Sequence, residues 1–286
     1  MKLLFTALAI TSTILLTQGC ASVVQSTDNS KSDHHNHSDG SNNHDHHGGH
    51  SELESASTIA KLTLSGKIAA NTPVPLVIDV KDKNGQAIAY FDKFQEQLMH
   101  LIIVGDNLDT FNHIHPTYKG NGRFEVQTSF PHPGNYTLFS DYKPAGKAEE
   151  VSLLKAQVPG EAPNTPKIDF SSTNTFGNTL ANLKFSQPTL KAGQEVNVIF
   201  NLQDAATKQP IKDLQPYLGE RGHLVIIKRT KSLTRADYIH AHALKDTPDG
   251  EVNFITNFPQ RGDYKLWGQF NRNGKIITAE FWVTVQ

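Results

Sequence analysis

Beyond residue 57 the chain is built from short apolar runs that alternate. Val196-x-Val198-x-Phe200-x-Leu202 and Tyr264-x-Leu266-x-Gly268-x-Phe270 repeat with period two, which puts their side chains on one face of an extended strand. Such β-branched and aromatic runs are broken by Gly, Pro, Asn and Asp every 8–12 residues or so, about the spacing of strands in antiparallel sandwiches. There is no sustained helical period. The pattern predicts an all-β chain of antiparallel β-sandwiches.

The runs recur as two copies of one unit. Ala60-Lys61-Leu62-Thr63-Leu64 matches Ala181-Asn182-Leu183-Lys184-Phe185, and the Val74–Val80 run matches Glu195–Leu202. Phe124-Glu125-Val126 matches Val252-Asn253-Phe254. Phe130-Pro131-His132-Pro133-Gly134-Asn135-Tyr136 parallels Phe258-Pro259-Gln260-Arg261-Gly262-Asp263-Tyr264. Pro159 to Pro166 is a linker by composition. The organisation expected is a signal at 1–19, a leader at 20–57, sandwich domains at 58–158 and 179–286, and a linker at 159–178.

Polar exceptions survive the duplication along with the apolar framework. Copy one reads Met99-His100-Leu101-Ile102-Ile103-Val104, then His113-Ile114-His115; copy two reads Gly222-His223-Leu224-Val225-Ile226-Ile227, then His240-Ala241-His242. In a strand, His113 and His115 share a face, with Cα atoms roughly 7 Å apart. Pairing His100 with His113 or His115 centres a hairpin turn on Asp106-Asn107-Leu108, where Asp-Asn is turn chemistry. Pairing His223 with His240 or His242 centres the second turn near Lys231-Ser232. Opposed strand residues bring imidazoles within reach of one metal. Met99 should face away from His100. His132, replaced by Gln260 in copy two, is an additional candidate ligand in copy one. Asp141 and Gln269 occupy matching positions from which either could orient an imidazole. Any one of these histidines alone would be read as an ordinary satisfied polar residue; the duplicated triplet favours metal.

Composition narrows the chemistry. The chain has one cysteine, Cys20, so a blue-copper site, which needs a thiolate, is excluded. Met99 is the only methionine after Met1, which excludes a methionine-rich Cu(I) shuttle. Imidazoles without thiolate suit Cu(II) or Zn(II). Formal charge is -1, and no basic stripe interleaved with aromatics suggests nucleic acid. The leader is Ser, Asn, Asp, Gly and His with almost nothing to bury, which predicts disorder. It carries His34, His35, His37, His44, His46, His47 and His50, read as a weak multivalent metal-collecting tail on a spacer.

The N-terminus, with Lys2 ahead of an apolar run from Leu3 to Leu16, reads as an export signal. Leu16-Thr17-Gln18-Gly19-Cys20 resembles the lipobox of bacterial lipoproteins, implying lipidation of Cys20, a membrane attachment through that lipid and a place in the cell envelope. Ala21 after the cysteine points to the outer membrane in a Gram-negative host. The stretch His100-Leu101-Ile102-Ile103-Val104 with Asp106, Leu108, Phe111, His113, His115 and Pro116 resembles a signature in secreted or membrane-anchored bacterial proteins, Met-His-Leu followed by Asp-Leu-x-x-Phe-x-His-x-His-Pro. The resemblance implies cupredoxin-like or immunoglobulin-like sandwiches associated with copper and heavy-metal handling. Copy two departs from it: Gly222 replaces Met99, the Asp-Leu pair is missing, and Ala243 stands at the Pro116 position.

The expected function is therefore a lipid-anchored envelope protein that binds copper or zinc for sequestration, tolerance or delivery to a transporter or chaperone. The alternative is an adhesion or scaffold module with structural histidines. A metal-dependent hydrolase ranks below both, since no His-Glu-x-x-His, Gly-x-Ser-x-Gly or nucleophile–base set accompanies the triplets.

Overall fold

A computed structural model describes residues 56–286 apart from Pro166 and Asp246. The signal, Cys20 and the leader histidines His34, His35, His37, His44, His46, His47 and His50 lie outside the described residues. The described residues belong to one compact unit. Among them no helix is long and apolar enough to cross a membrane.

The first copy forms β1 (Thr58–Leu64), β2 (Pro73–Asp82), β3 (Phe91–Asp92), β4 (Met99–Gly105), β5 (Phe111–Ile114), β6 (Thr117–Gly120), β7 (Arg123–Ser129), β8 (Gly134–Pro144) and β9 (Glu150–Val158). The second forms β10 (Thr173–Phe176), β11 (Thr179–Phe185), β12 (Glu195–Asp204), β13 (Leu214–Gln215), β14 (His223–Lys228), β15 (Tyr238–His242), β16 (Glu251–Asn257), β17 (Gly262–Arg272) and β18 (Lys275–Val285). Each copy is a four-stranded sheet packed on a five-stranded one. The pairing orders are β1-β2-β7-β6 on β3-β8-β4-β5, with β9 beside β8, and β10-β11-β12-β16 on β13-β17-β14-β15, with β18 beside β17. All pairings are antiparallel. Two tandem antiparallel sandwiches are what the alternating runs predicted.

Alternation decides which side chains fill each sandwich. Val74, Leu76, Ile78 and Val80 of β2 meet Met99, Leu101 and Ile103 of β4 and Tyr136, Leu138 and Tyr142 of β8 in the first core. Val196, Val198, Phe200 and Leu202 of β12 meet Leu224 and Ile226 of β14 and Tyr264, Leu266 and Phe270 of β17 in the second. Met99 therefore faces the core, away from His100. Gly222 replaces it because a Cβ there would come within 2.8 Å of the Phe270 ring, which fills the same space.

The strands of the five-stranded sheets are buried on their other face as well. Ile102, Val104, Phe139 and Val151 of the first sandwich pack with Val225, Ile227, Tyr238 and Trp267 of the second in a third apolar cluster. The sandwiches thus stand back to back, the two five-stranded sheets inward. Their contacts are exchanged symmetrically: Phe111 of β5 stacks on Trp267 of β17 at 4.8 Å, and Tyr238 of β15 stacks on Phe139 of β8 at the same distance. This is the self-complementary arrangement of a two-fold homodimer, built within one chain.

The hairpin turns plug the edge of this interface. In copy one Leu108 takes a left-handed φ of 59° and is buried, and its carbonyl accepts a 2.9 Å hydrogen bond from the Lys265 ammonium. In copy two the longer connection winds a 3-10 turn, Arg235–Asp237, capped reciprocally by Thr234 and Asp237, and Leu233 takes the buried place. Trp267 is fully buried in this interface and outside both sandwich cores. Trp267→Ala is expected to cost about 3–5 kcal/mol, measured as a lowered urea midpoint, and to expose the 159–172 linker region to limited proteolysis. An unchanged midpoint would mean that the sandwiches do not unfold cooperatively.

Candidate metal centre

Registers settle which histidines oppose which. Leu101 pairs with Ile114 and Ile102 with His113, so His100 lies opposite His115 at the end of the β4–β5 ladder. In copy two His223 pairs directly with His242. The second of the two registers allowed by the spacing is the one formed in both copies, and it puts each lone histidine diagonally across from the nearer member of its His-x-His pair.

These side chains project from the interface face, continuing the rows of Ile102–Val104 and Val225–Ile227. The two triplets consequently do not form separate sites, one per sandwich, as the sequence led us to expect; they abut. His100 lies 5.3 Å from His240 and 5.9 Å from His223, ring centre to ring centre, and His113 lies 5.9 Å from His223 and 6.0 Å from His240. Burial divides the six. His100 and His223 are essentially inaccessible, His113 is buried and the His240 side chain is 6% exposed, whereas His115 and His242 sit half-buried at the rim. In the first triplet one donor atom from each of His100, His113 and His115 lies within 4.8 Å of the others. His132 is not part of the cluster: it is exposed in the turn between β7 and β8, at the far end of β8 from Asp141.

Hydrogen bonds cross the interface in the same exchanged sense. His113 Nδ1–H donates to Gln269 Oε1 at 2.7 Å, and His240 Nδ1–H donates to Asp141 Oδ2 at 3.1 Å. Asp141 pairs with His100 in its own sheet, and Gln269 with His223 in its own, so each reaches an imidazole of the opposite sandwich. Tyr238 O–H also donates to Asp141 Oδ2, at 3.2 Å. Within each copy the inner rings are equally close: His100 Nδ1 to His113 Nε2 is 3.1 Å, and His223 Nδ1 to His240 Nε2 is 3.1 Å.

The proton inventory differs between the copies. In copy two Asp141 takes the Nδ1 proton of His240, leaving Nε2 as an acceptor for the Nδ1–H of His223. That chain ends at His223 Nε2, a buried nitrogen with no hydrogen-bond partner. In copy one both outer nitrogens face oxygens: His100 Nε2–H donates to the Phe94 carbonyl at 3.2 Å and His113 Nδ1–H to Gln269. With both rings neutral, His100 Nδ1 and His113 Nε2 then present two lone pairs to each other at 3.1 Å. In this proton arrangement the facing lone pairs make a place that a cation between them would fill. His115 Nε2 is another buried nitrogen without a partner.

Sequence reasoning missed the roof of the cluster. Phe94 and Gln97 bridge a tight turn through Gln95 and Glu96, both at positive φ, and Tyr217 and Glu220 do the same through Leu218 and Gly219. The Phe94 ring lies 4.7 Å from His100 and the Tyr217 ring 5.5 Å from His223. The Leu218-Gly219 pair was the available signal, since Gly readily takes the positive φ of such a turn.

The rings are held neutral. Burial, followed by the neighbouring imidazoles His240, His113 and His115, lowers His100 far below the usual histidine range. Burial and then His115 lower His113 to about 3, and burial lowers His115 to about 4. Burial first, then His240, holds His223 well below its ordinary value. Unfolded histidines titrate at about 6.5, so below that pH the unfolded chain binds more protons than the folded one. Stability must fall as pH drops through 6.5 toward 3. For the ion-free protein we expect a melting temperature lower by on the order of 10 °C at pH 5 than at pH 7.5, read by calorimetry; equal values would show that the rings are charged in the fold.

No curated protein matches the chain significantly. Among solved structures, the Escherichia coli adhesin FdeC is 16% identical over 81% of this chain and 65% of its own, with a TM-score of 0.26. Invasin, a bacterial integrin-binding protein, is 11% identical over 78% of this chain and 39% of its own, at 0.23. MtrC from Shewanella baltica is 7% identical over 78% and 68%, at 0.25. The chain thus spans less than two thirds of the FdeC and invasin chains, and likenesses of this size carry no functional argument. The family model described as a domain of unknown function, DUF8832, matches twice, at residues 54–158 and 176–286, and the chain belongs to that family.

Proposed function

We propose that this protein binds a divalent transition metal, Cu(II) or Zn(II), in the histidine cluster between its two sandwiches, and that it serves the cell envelope in sequestration, tolerance or delivery. The observation that carries this reading is the pair of buried acceptor nitrogens, His100 Nδ1 and His113 Nε2, facing each other at 3.1 Å while both outer nitrogens donate to oxygens. A tetrahedral ion with about 2.0–2.1 Å bonds holds neighbouring nitrogens roughly 3.4 Å apart, so it would fit between them with a small adjustment. Ligating histidines characteristically donate their other N–H to a carboxylate or carbonyl oxygen, as these do to Asp141, Gln269 and Phe94. The resemblance of the β4–β5 hairpin to the heavy-metal signature, and the lipobox resemblance at Cys20, support the same reading. The reading assigns the protein no catalytic step.

A second reading has its own observation. His223 bonds to His240 within its copy, and His113 and His240 bond to Gln269 and Asp141 across a large apolar interface, so the cluster is also a polar key that fixes the two sandwiches against each other without an ion. On that reading the protein is a rigid tandem module for adhesion or scaffolding. The adhesins among the solved neighbours go with it, at a likeness that reaches the fold alone.

Calorimetric titration of Cu(II) and Zn(II) separates the two, using a chain whose seven leader histidines are replaced by Asn. Metal binding predicts a dissociation constant below about 1 μM. His100→Gln with His113→Gln should then weaken it at least a hundredfold. A chain that takes up neither metal would leave the scaffold reading standing.

A further inference from the structure

The position of the four buried rings carries a more specific statement, which rests on the metal reading above. His100, His113, His223 and His240 lie at six mutual ring-centre distances, all between 5.3 and 6.0 Å: 5.3 within each copy, and 5.9, 5.3, 5.9 and 6.0 Å across the interface. Four points with nearly equal mutual distances form a tetrahedron. An ion bound tetrahedrally by four imidazoles, with bonds of about 2.0–2.1 Å, sets their ring centres roughly 5.2 Å apart. The ring centres of the quartet are thus spaced slightly wider than in a four-imidazole coordination shell; in the ion-free fold the donor atoms already within 4.8 Å of one another are those of His100, His113 and His115, so an ion shared between the sandwiches would draw His223 and His240 inward.

Ring spacing alone does not exclude His115, which lies 5.0 Å from His100 and 4.8 Å from His113, but three other features favour these four. His100, His113 and His223 are buried and the His240 side chain is 6% exposed, while His115 and His242 are partly buried. Three of its members have the nitrogen remote from the cluster held by oxygen: His100 by Phe94, His113 by Gln269 and His240 by Asp141. His242 lies farther from His223, at 6.3 Å, than His240 does, so the second triplet is looser as a three-ligand set than the first. Charge points the same way. The Asp141 carboxylate bonds to the His240 ring, and one divalent ion beside it is less costly to bury than two.

We infer that the protein holds one ion per chain in a four-imidazole centre straddling the sandwich interface, with His100 and His113 supplied by the first copy and His223 and His240 by the second; on binding, the Nδ1 proton of His223 moves to its own Nε2, which frees the lone pairs of His223 Nδ1 and His240 Nε2. The ion ties the two sandwiches together, and neither repeat alone carries a complete site. Gln269 and Asp141 are positioning residues, each orienting a ligand of the opposite sandwich.

The test uses the full chain with its leader histidines replaced by Asn, Zn(II) in calorimetry, and Co(II) as the optical probe. The expected result is one ion per chain, with the intense visible absorption of four-coordinate Co(II). His240→Gln in the second sandwich should weaken binding at least a hundredfold, as His100→Gln does in the first. His115→Ala, at the partly buried rim, should change affinity by less than about threefold and leave the Co(II) spectrum in place. Pulsed EPR of the Cu(II) form counts coordinated imidazoles without any substitution at the interface, so a His240→Gln chain that fails to fold does not decide the matter. Four imidazoles support the shared centre. Two ions per chain, three imidazoles on Cu(II), or a His115→Ala loss equal to that of His100→Gln would overturn it in favour of separate triplets while keeping the metal reading. Uptake of no ion would overturn both.

Discussion

Burial of β4 and β14 on both faces is the constraint on which everything else depends. Each strand must satisfy two different apolar surfaces at once: its own sandwich core through Leu101 and Ile103 or Leu224 and Ile226, and the opposite sandwich through Ile102 and Val104 or Val225 and Ile227. A strand with only one buried face could have left the histidines of that other face in solvent, where each would be an ordinary polar residue. Closing the second face buries His100, His113 and His223 and covers most of the rest. Their desolvation then depresses their basicity, favours neutral rings and gives meaning to every nitrogen that lacks a partner.

The exchanged contacts explain how such a cluster is held in place. Phe111 with Trp267 and Tyr238 with Phe139 place one aromatic stack on each side of an approximate two-fold axis, and the Gln269 and Asp141 hydrogen bonds repeat the exchange beside the histidines. The symmetry is broken where chemistry needs it least in packing and most in charge. Gln269 is neutral and Asp141 acidic, Met99 is answered by Gly222 and Phe270, and Leu108 in a short turn is answered by Leu233 in a longer one. Lys265, buried between Trp267 and Trp282 and bonded to the Leu108 carbonyl and to Glu280, belongs only to the second copy. The two halves of the cluster are thus related but electrically distinct.

A polar key and a metal shell make overlapping demands, which is why the same hydrogen bonds serve either reading. Both need orientation of the rings by Asp141, Gln269 and the Phe94 carbonyl. They part at the inner nitrogens. A purely structural network settles its lone pairs against donors, as the Asp141–His240–His223 chain nearly does; the His100–His113 pair instead sets acceptor against acceptor.

Much of the fold was legible from residues alone, because the causes are local. Period-two alternation in Val196–Leu202 encodes a strand with one core face, the duplicated cassette encodes two copies of one sandwich, and the spacing of His100, His113 and His115 about Asp106-Asn107 restricts the hairpin to two registers. The continuous apolar runs Leu101–Val104 and Leu224–Ile227 fit strands buried on both faces, a signal that sequence reasoning missed. What no local pattern contains is the partner of that second face. Whether two sandwiches stand end to end, side by side or back to back depends on free energy summed over surfaces far apart in sequence. That sum brought Gln269 to His113 and Asp141 to His240, left His132 on the surface, and turned two expected sites into one shared cluster.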